Sequence, residues 1–237
     1  MGKIFIIAEV GLNHNGDFET AKDLIQAASD AGVDACKFQV YWSIVNMKKY
    51  NFTKRQWTAL FTFCEKFGVE WFCTPFDIEA VRWLDKMGMK RWKIPSNKIV
   101  IDNEYILKEV VRAKNREYTV ISTGISNDVK IKELIRLFGN KPYTLLHCVS
   151  KYPTLYKDLN LNRIAYLRAM FKCPIGFSDH SVSIIAPLEA AMQFGASMIE
   201  KHITLDRKMP GPDHCASLIP KEFEKMVTFI RKYEKHI

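Results

Sequence analysis

Two lysines, two histidines and several hydroxyls stand in this sequence at spacings that could bind an anion and a metal. Lys37 and Gln39 lie two apart, as do Ser178 and His180, and Glu200 and His202. Residues two apart on an extended strand share a face, so each pair would point one way. Lysines beside hydroxyls and a Ser122-Thr123-Gly124 turn suit a bound phosphate or carboxylate. Two histidines with oxygen donors nearby suit a divalent metal. Other polar groups stand in short runs: Glu9 before Gly11-Leu12-Asn13-His14-Asn15-Gly16, Thr74-Pro75-Phe76-Asp77, Lys93-Ile94-Pro95-Ser96, His147-Cys148 with Tyr152-Pro153, and Asp213-His214.

Simpler roles compete for each residue. A lone lysine at a strand end usually snorkels at the surface. His14 and His147 read equally as packed core histidines, and His214 and His236 read as surface residues. Asp77 precedes an amphipathic stretch and is expected to cap a helix. Asp179 alternates out of phase with Ser178 and His180, so it is expected to orient a ligand rather than be one. The cysteines read as packing residues. What favours chemistry is that these groups recur at the end of nearly every short apolar run.

Those runs are β-branched or aromatic and alternate with longer amphipathic stretches. Strands are expected at 3–8, 35–39, 70–74, 91–94, 118–122, 143–147, 175–178 and 198–202. Helices are expected at 17–31, 54–67, 77–87, 102–114, 127–138, 159–170, 182–195 and 220–235. In the first helix Ala21, Leu24, Ile25, Ala28 and Ala31 recur at helical spacing, with Asp17 before them and Gly32 after. Strand followed by helix eight times is the pattern of an α/β protein of the (β/α)8 TIM-barrel type, in which chemistry sits at the C-terminal strand ends. A doubly wound sheet usually carries Gly-x-Gly-x-x-Gly after its first strand, and this sequence has none. Residues 1–237 therefore read as a single TIM-barrel domain.

Composition narrows the setting. The 237 residues are 48% hydrophobic and 26% charged, as in a soluble globular protein. Six separated cysteines form no Cys-x-x-Cys pair, which argues against a zinc ribbon or a disulfide scaffold. Reduced thiols imply a cytoplasmic protein. The apolar run 4–8 is too short for a signal sequence, and no stretch is long enough to span a membrane. The net charge of +9 comes from scattered residues with no basic run, so no nucleic-acid partner is expected.

The strand-end runs resemble the sialic acid (N-acetylneuraminate) synthase family. The likeness lies in 8–16, Lys37-Phe38-Gln39, Thr74-Pro75-Phe76-Asp77, Ser122-Thr123-Gly124, Leu146-His147-Cys148 with Tyr152-Pro153, Gly176-Phe177-Ser178-Asp179-His180-Ser181, Glu200-Lys201-His202 and Gly211-Pro212-Asp213-His214. It runs through almost the whole chain in order. The resemblance implies condensation of phosphoenolpyruvate with an N-acetylmannosamine-like acetamido sugar aldehyde. The products would be a nonulosonic acid and phosphate, with C–O cleavage. It further implies that His180 and His202 hold Mn2+ or Mg2+. Lys93, Ser96, Ser122 and Ser178 would hold the phosphate, and Lys37 and Thr74 would face the carboxylate. Gln39, Tyr152 and Asp213 would meet the sugar, with Glu9 as an acid/base or water-positioning group. A homodimer is implied as well.

The chain departs from that family in three respects. Members usually add a C-terminal antifreeze-like domain that lends an arginine to the neighbouring subunit's sugar site, and this chain is expected to lack it. The stretch between Gln39 and Thr74 is shorter than usual. Ser150 stands where asparagine is common, and Lys98 where an acidic residue is common. The phosphoenolpyruvate and metal halves thus look intact and the acceptor half reduced. Two rival readings follow. One is a synthase with a sugar-phosphate acceptor, suggested by lysines such as Lys98. The other is a non-catalytic phosphoenolpyruvate- and metal-binding relic, or a subunit that needs a separate lid protein.

Overall fold

Eight parallel strands close into a barrel in the computed structural model, which describes residues 2–235. His236 lies outside the described residues. The strands are β1 (Phe5–Gly11), β2 (Ala35–Val40), β3 (Glu70–Pro75), β4 (Arg91–Ile94), β5 (Tyr118–Ser122), β6 (Tyr143–His147), β7 (Ile175–Asp179) and β8 (Met198–His202). They neighbour one another in chain order, and β8 returns to pair with β1. The outer helices are α1 (Phe18–Asp30), α2 (Lys54–Lys66), α3 (Ile78–Lys86), the one-turn α4 (Lys98–Ile101), α5 (Glu104–Arg112), α6 (Asp128–Phe138), α7 (Asn162–Phe171), α8 (Ile185–Met192) and α9 (Pro220–Glu234). None is long and apolar enough to cross a membrane.

Local chemistry sets the helix starts. Asp17 accepts from Thr20 N–H and begins α1, whose Ala21, Leu24, Ile25 and Ala28 are buried against the strands. Thr53 and Gln56 form a reciprocal capping box on α2. Asp77 caps α3 through Ala80 N–H, as its position suggests, and also accepts from Trp42 and Ser43 N–H, tying down the loop after β2. An aromatic cluster locks α2 onto the barrel: Phe61 stacks on Trp71 with centroids 3.8 Å apart, and Phe38 meets Trp57 edge-on.

The expected strands are present, with one notable shift. β1 runs from 5 to 11 rather than from 3 to 8, because an irregularity between Glu9 and Gly11 lets Gly11 pair with Phe38. The loop helix α4 lacks an apolar period long enough to announce itself and is capped by Asn97. Helix α8 starts at 185 rather than 182, because the Ser183 hydroxyl accepts from Ile185 and Ala186 N–H. All six cysteines are free, four of them buried.

His214 is not a surface residue. It is fully buried and its Nδ1 lies 2.7 Å from the Thr204 hydroxyl. His14 packs against Phe52 with centroids 4.7 Å apart, and His147 bonds the Leu159 carbonyl at 2.7 Å. Both are packing histidines.

Candidate active site

Strand register brings the polar residues together. Glu9 pairs with Lys37 on one side and His202 on the other, Ser178 with Glu200, and Gln39 with Thr74. They line a cavity of about 400 Å³ at the C-terminal strand ends. The twelve residues to which the resemblance gave a site role all border it: Glu9, Lys37, Gln39, Thr74, Lys93, Ser96, Ser122, Tyr152, Ser178, His180, His202 and Asp213. Lys98 does not. It is exposed and borders a separate outer groove beside Asp102 and Lys108.

The floor is a ladder of buried charges. Lys37 Nζ lies 2.6 Å from Glu9 Oε2 and 3.7 Å from Glu200 Oε2. Lys93 Nζ lies 3.7 Å from Glu200 Oε1 and donates to the Ser122 hydroxyl at 2.5 Å. Ser178 donates to Glu200 at 2.7 Å. Glu200 is thus the hub between the two lysines, and the strand-end reading gave it no role. Its shared face with His202 was the available signal. Burial pushes the Glu200 carboxyl up, but Lys37 and Lys93 outweigh it and hold it below the ordinary range. Burial pulls Lys37 down, but Glu200 and Glu9 raise it above the ordinary lysine value. For Lys93 burial prevails and lowers it.

Glu9 differs from Glu200. Burial pushes it up to about 7 despite Lys37, and Glu200 adds to the rise. Gln39 Nε2 donates to its Oε1 at 2.8 Å, while Oε2 faces the Lys37 ammonium. Such a carboxyl can hold or release a proton near neutrality. Gln39 in turn accepts from the Tyr41 hydroxyl, and Tyr41 stacks on Phe76 at 4.2 Å. Together they form a firm aromatic wall beside Glu9.

His180 and His202 face each other with ring centroids 5.8 Å apart. His180 Nδ1 lies 2.6 Å from the Val149 carbonyl, which can only accept, so Nδ1 carries the proton and Nε2 keeps its lone pair. That Nε2 lies 3.0 Å from the Tyr152 hydroxyl, and the two rings stack. Burial lowers His180 to about 4 and His202 well below its ordinary value, so both are neutral imidazoles. His202 Nδ1 is buried without a partner, 3.9 Å from Asp213 Oδ2. Burial raises Asp213 to about 6. No group of three or more His, Cys, Asp or Glu forms a ready cation cage among the described residues. Two neutral imidazoles with a carboxylate close by fit a divalent ion that keeps open positions.

Hydroxyls line a further part of the cavity. Ser96 Oγ accepts from Ile125 N–H at 2.8 Å and lies 3.1 Å from Ser150 Oγ. A Cβ on Gly124 would stand 2.7 Å from Cys148 Sγ and 2.8 Å from Ser150 Oγ, so only glycine fits this turn. The Thr74 hydroxyl is buried and unpartnered. It faces a cavity that holds cations, hydroxyls and imidazoles within reach of one another.

Known proteins resemble the chain along nearly its whole length. An uncharacterized protein of Methanocaldococcus jannaschii is 41% identical over 98% of this chain and 71% of its own length. The N,N'-diacetyllegionaminic acid synthase of Campylobacter jejuni is 36% identical, covering 99% of this chain and 78% of that protein. That alignment runs over 264 positions, so the relative carries insertions that this 237-residue chain does without. The crystal structure of an N-acetylneuraminic acid synthetase from Leptospira borgpetersenii, solved with citrate, superposes with a TM-score of 0.91 at 35% identity. It covers 99% of this chain and 85% of that one. The NeuB family model matches residues 42–237, and with these relatives it shows that the chain belongs to the NeuB family.

Proposed function

We propose that residues 1–237 form one barrel domain that condenses phosphoenolpyruvate with an N-acetylmannosamine-like acetamido sugar aldehyde, yielding a nonulosonic acid and phosphate. The observation that carries this reading is one cavity in which Lys37 and Lys93 flank Glu200 while Glu9 and two neutral imidazoles stand beside them. The relatives' names as nonulosonic acid synthases support it.

In the reaction, carbon 3 of the enol phosphate forms a bond to the aldehyde carbon, whose oxygen takes a proton. Water adds to carbon 2, and the bond from carbon 2 to the phosphate oxygen then breaks. Lys93, Ser96, Ser122 and Ser178 would hold the phosphate, and Lys37 with Thr74 the carboxylate. Gln39, Tyr152 and Asp213 would orient the sugar. Glu9, with its proton affinity near neutrality, would take a proton from the attacking water. A divalent cation, Mn2+ or Mg2+, held by His180 and His202 would supply a Lewis acid for the aldehyde. The lysines offset the crowding of anionic groups in one mouth. The lysine that suggested a sugar-phosphate acceptor, Lys98, lies outside the cavity.

The test is a product assay with Mn2+, phosphoenolpyruvate and a panel of acetamido aldehydes. Phosphate and nonulosonate should appear together. Phosphoenolpyruvate labelled with 18O at the bridging position should give labelled phosphate. Unlabelled phosphate would exclude C–O cleavage. Absence of product across the panel, with phosphoenolpyruvate still bound, would favour the relic.

A further inference from the structure

Behind the cavity wall, Asp179 and Lys201 form an ion pair with both side chains fully buried and 2.5 Å between Lys201 Nζ and Asp179 Oδ2. Neither residue lines the cavity. They alternate with Ser178 on β7 and His180 just beyond it, and with Glu200 and His202 on β8, so they face the helices rather than the mouth. Their register is direct, Asp179 opposite Lys201.

The pair grips both flanks of His180. Asp179 Oδ1 accepts from Ser181 N–H at 2.8 Å, a side-chain turn that spans the histidine. Asp179 Oδ2 also accepts from the Ser181 hydroxyl at 3.1 Å. Lys201 donates to the Ser181 carbonyl as well as to Asp179. Lys201 is itself the residue before His202. One ammonium therefore ties the Asp179 carboxylate and the Ser181 carbonyl, on either side of His180, to the strand that carries His202.

A buried ion pair is a weak source of stability, since apolar residues of similar volume often replace it at little cost. It is, however, a precise spacer. Two imidazole nitrogens can share one ion only if both come within a coordination bond of it, about 2.0–2.1 Å in the case of zinc, so a small change in their separation matters. We infer that Asp179 and Lys201 are positioning residues that set the spacing of His180 and His202 for a divalent cation. This rests on the reading that those histidines hold the metal.

The test replaces both charges at once, Asp179→Leu with Lys201→Met, and measures Mn2+ affinity by electron paramagnetic resonance of the free ion. Thermal stability and phosphoenolpyruvate affinity without metal are measured alongside. The expected result is a folded protein with near-normal phosphoenolpyruvate affinity and Mn2+ affinity reduced by about 10- to 100-fold, the range for groups that orient metal ligands. Asp179→Glu keeps the charge, and so the fold, but displaces the turn at Ser181. It should weaken Mn2+ at least several-fold. Undiminished Mn2+ affinity in either folded variant overturns the inference. His202→Ala tests the underlying reading separately: if it retains wild-type Mn2+ affinity, the histidines are not the metal ligands.

Discussion

Glu9 and Glu200 sit against the same lysine yet are held on opposite sides of the ordinary carboxylate range. Glu200 has two ammonium neighbours and the Ser178 hydroxyl, and it stays ionised. Glu9 has one lysine, deep burial and Glu200 as a like-charged neighbour, and it rises to about 7. Two carboxyls with separated proton affinities can divide their roles, one as fixed counter-ion and one as proton carrier. Glu9→Gln should therefore leave phosphoenolpyruvate affinity within a few-fold of wild type while lowering kcat by roughly 10²- to 10⁴-fold. Isothermal titration with phosphoenolpyruvate and steady-state kinetics check the two halves, and normal turnover would move the proton transfer elsewhere. Glu9 could be singled out from its place at an early strand end. Glu200 could not, because bridging two lysines from β2 and β4 becomes visible only when the barrel closes.

At the scale of elements, the strand ends carry most of the cavity's polar residues, and the loops after them add Ser96, Tyr152, His180 and Asp213. The loop after β1 must pass close under the short helical turn Val45–Tyr50. At Gly16, φ is +78°, and a Cβ would stand 2.0 Å from the Lys49 carbonyl oxygen. Gly16→Ala must therefore shift one loop against the other. The expected cost is about 1–3 kcal/mol, read as a Tm lower by roughly 3–10 °C. Faster proteolysis between β2 and α2 should accompany it, and an unchanged Tm would mean that the two loops move freely. Strand and helix identities were legible because periods of two and 3.6 are local properties. The start of α8 depends on a side-chain cap, and the turn of α4 is a single loop feature, so neither had a periodic signal.

For the whole molecule, burial of neutral imidazoles ties stability to pH. Burial lowers His14 to about 4 from an ordinary 6.5. An unfolded chain takes up a proton there near pH 6.5, and the folded one only near pH 4. Between those values the unfolded state binds more protons, so stability falls as pH drops through that window. His14 does not border the cavity and packs on Phe52 and Trp57. It should contribute about 2 kcal/mol of the stability lost between pH 7 and pH 5. Urea unfolding of wild type and His14→Phe at both pH values measures this. The variant should lose correspondingly less, and parallel losses would show that His14 does not titrate with unfolding.

The sequence by itself determined the barrel, because eight alternations of strand and helix, each with its own apolar face, leave few other ways to bury those faces. It also pointed to twelve residues that border the mouth, because strand ends in such a fold share one rim. Only the tertiary structure decided how those residues engage. Side-chain alternation placed Asp179 and Lys201 out of phase with the histidines, but it could not pair them. Register between β7 and β8 did that, as closure of the barrel joined Lys37 to Lys93 through Glu200 and enclosed His214. The physical reason is the range of the forces. Backbone periodicity and capping act over a few residues, whereas desolvation and ion pairing depend on which strands become neighbours.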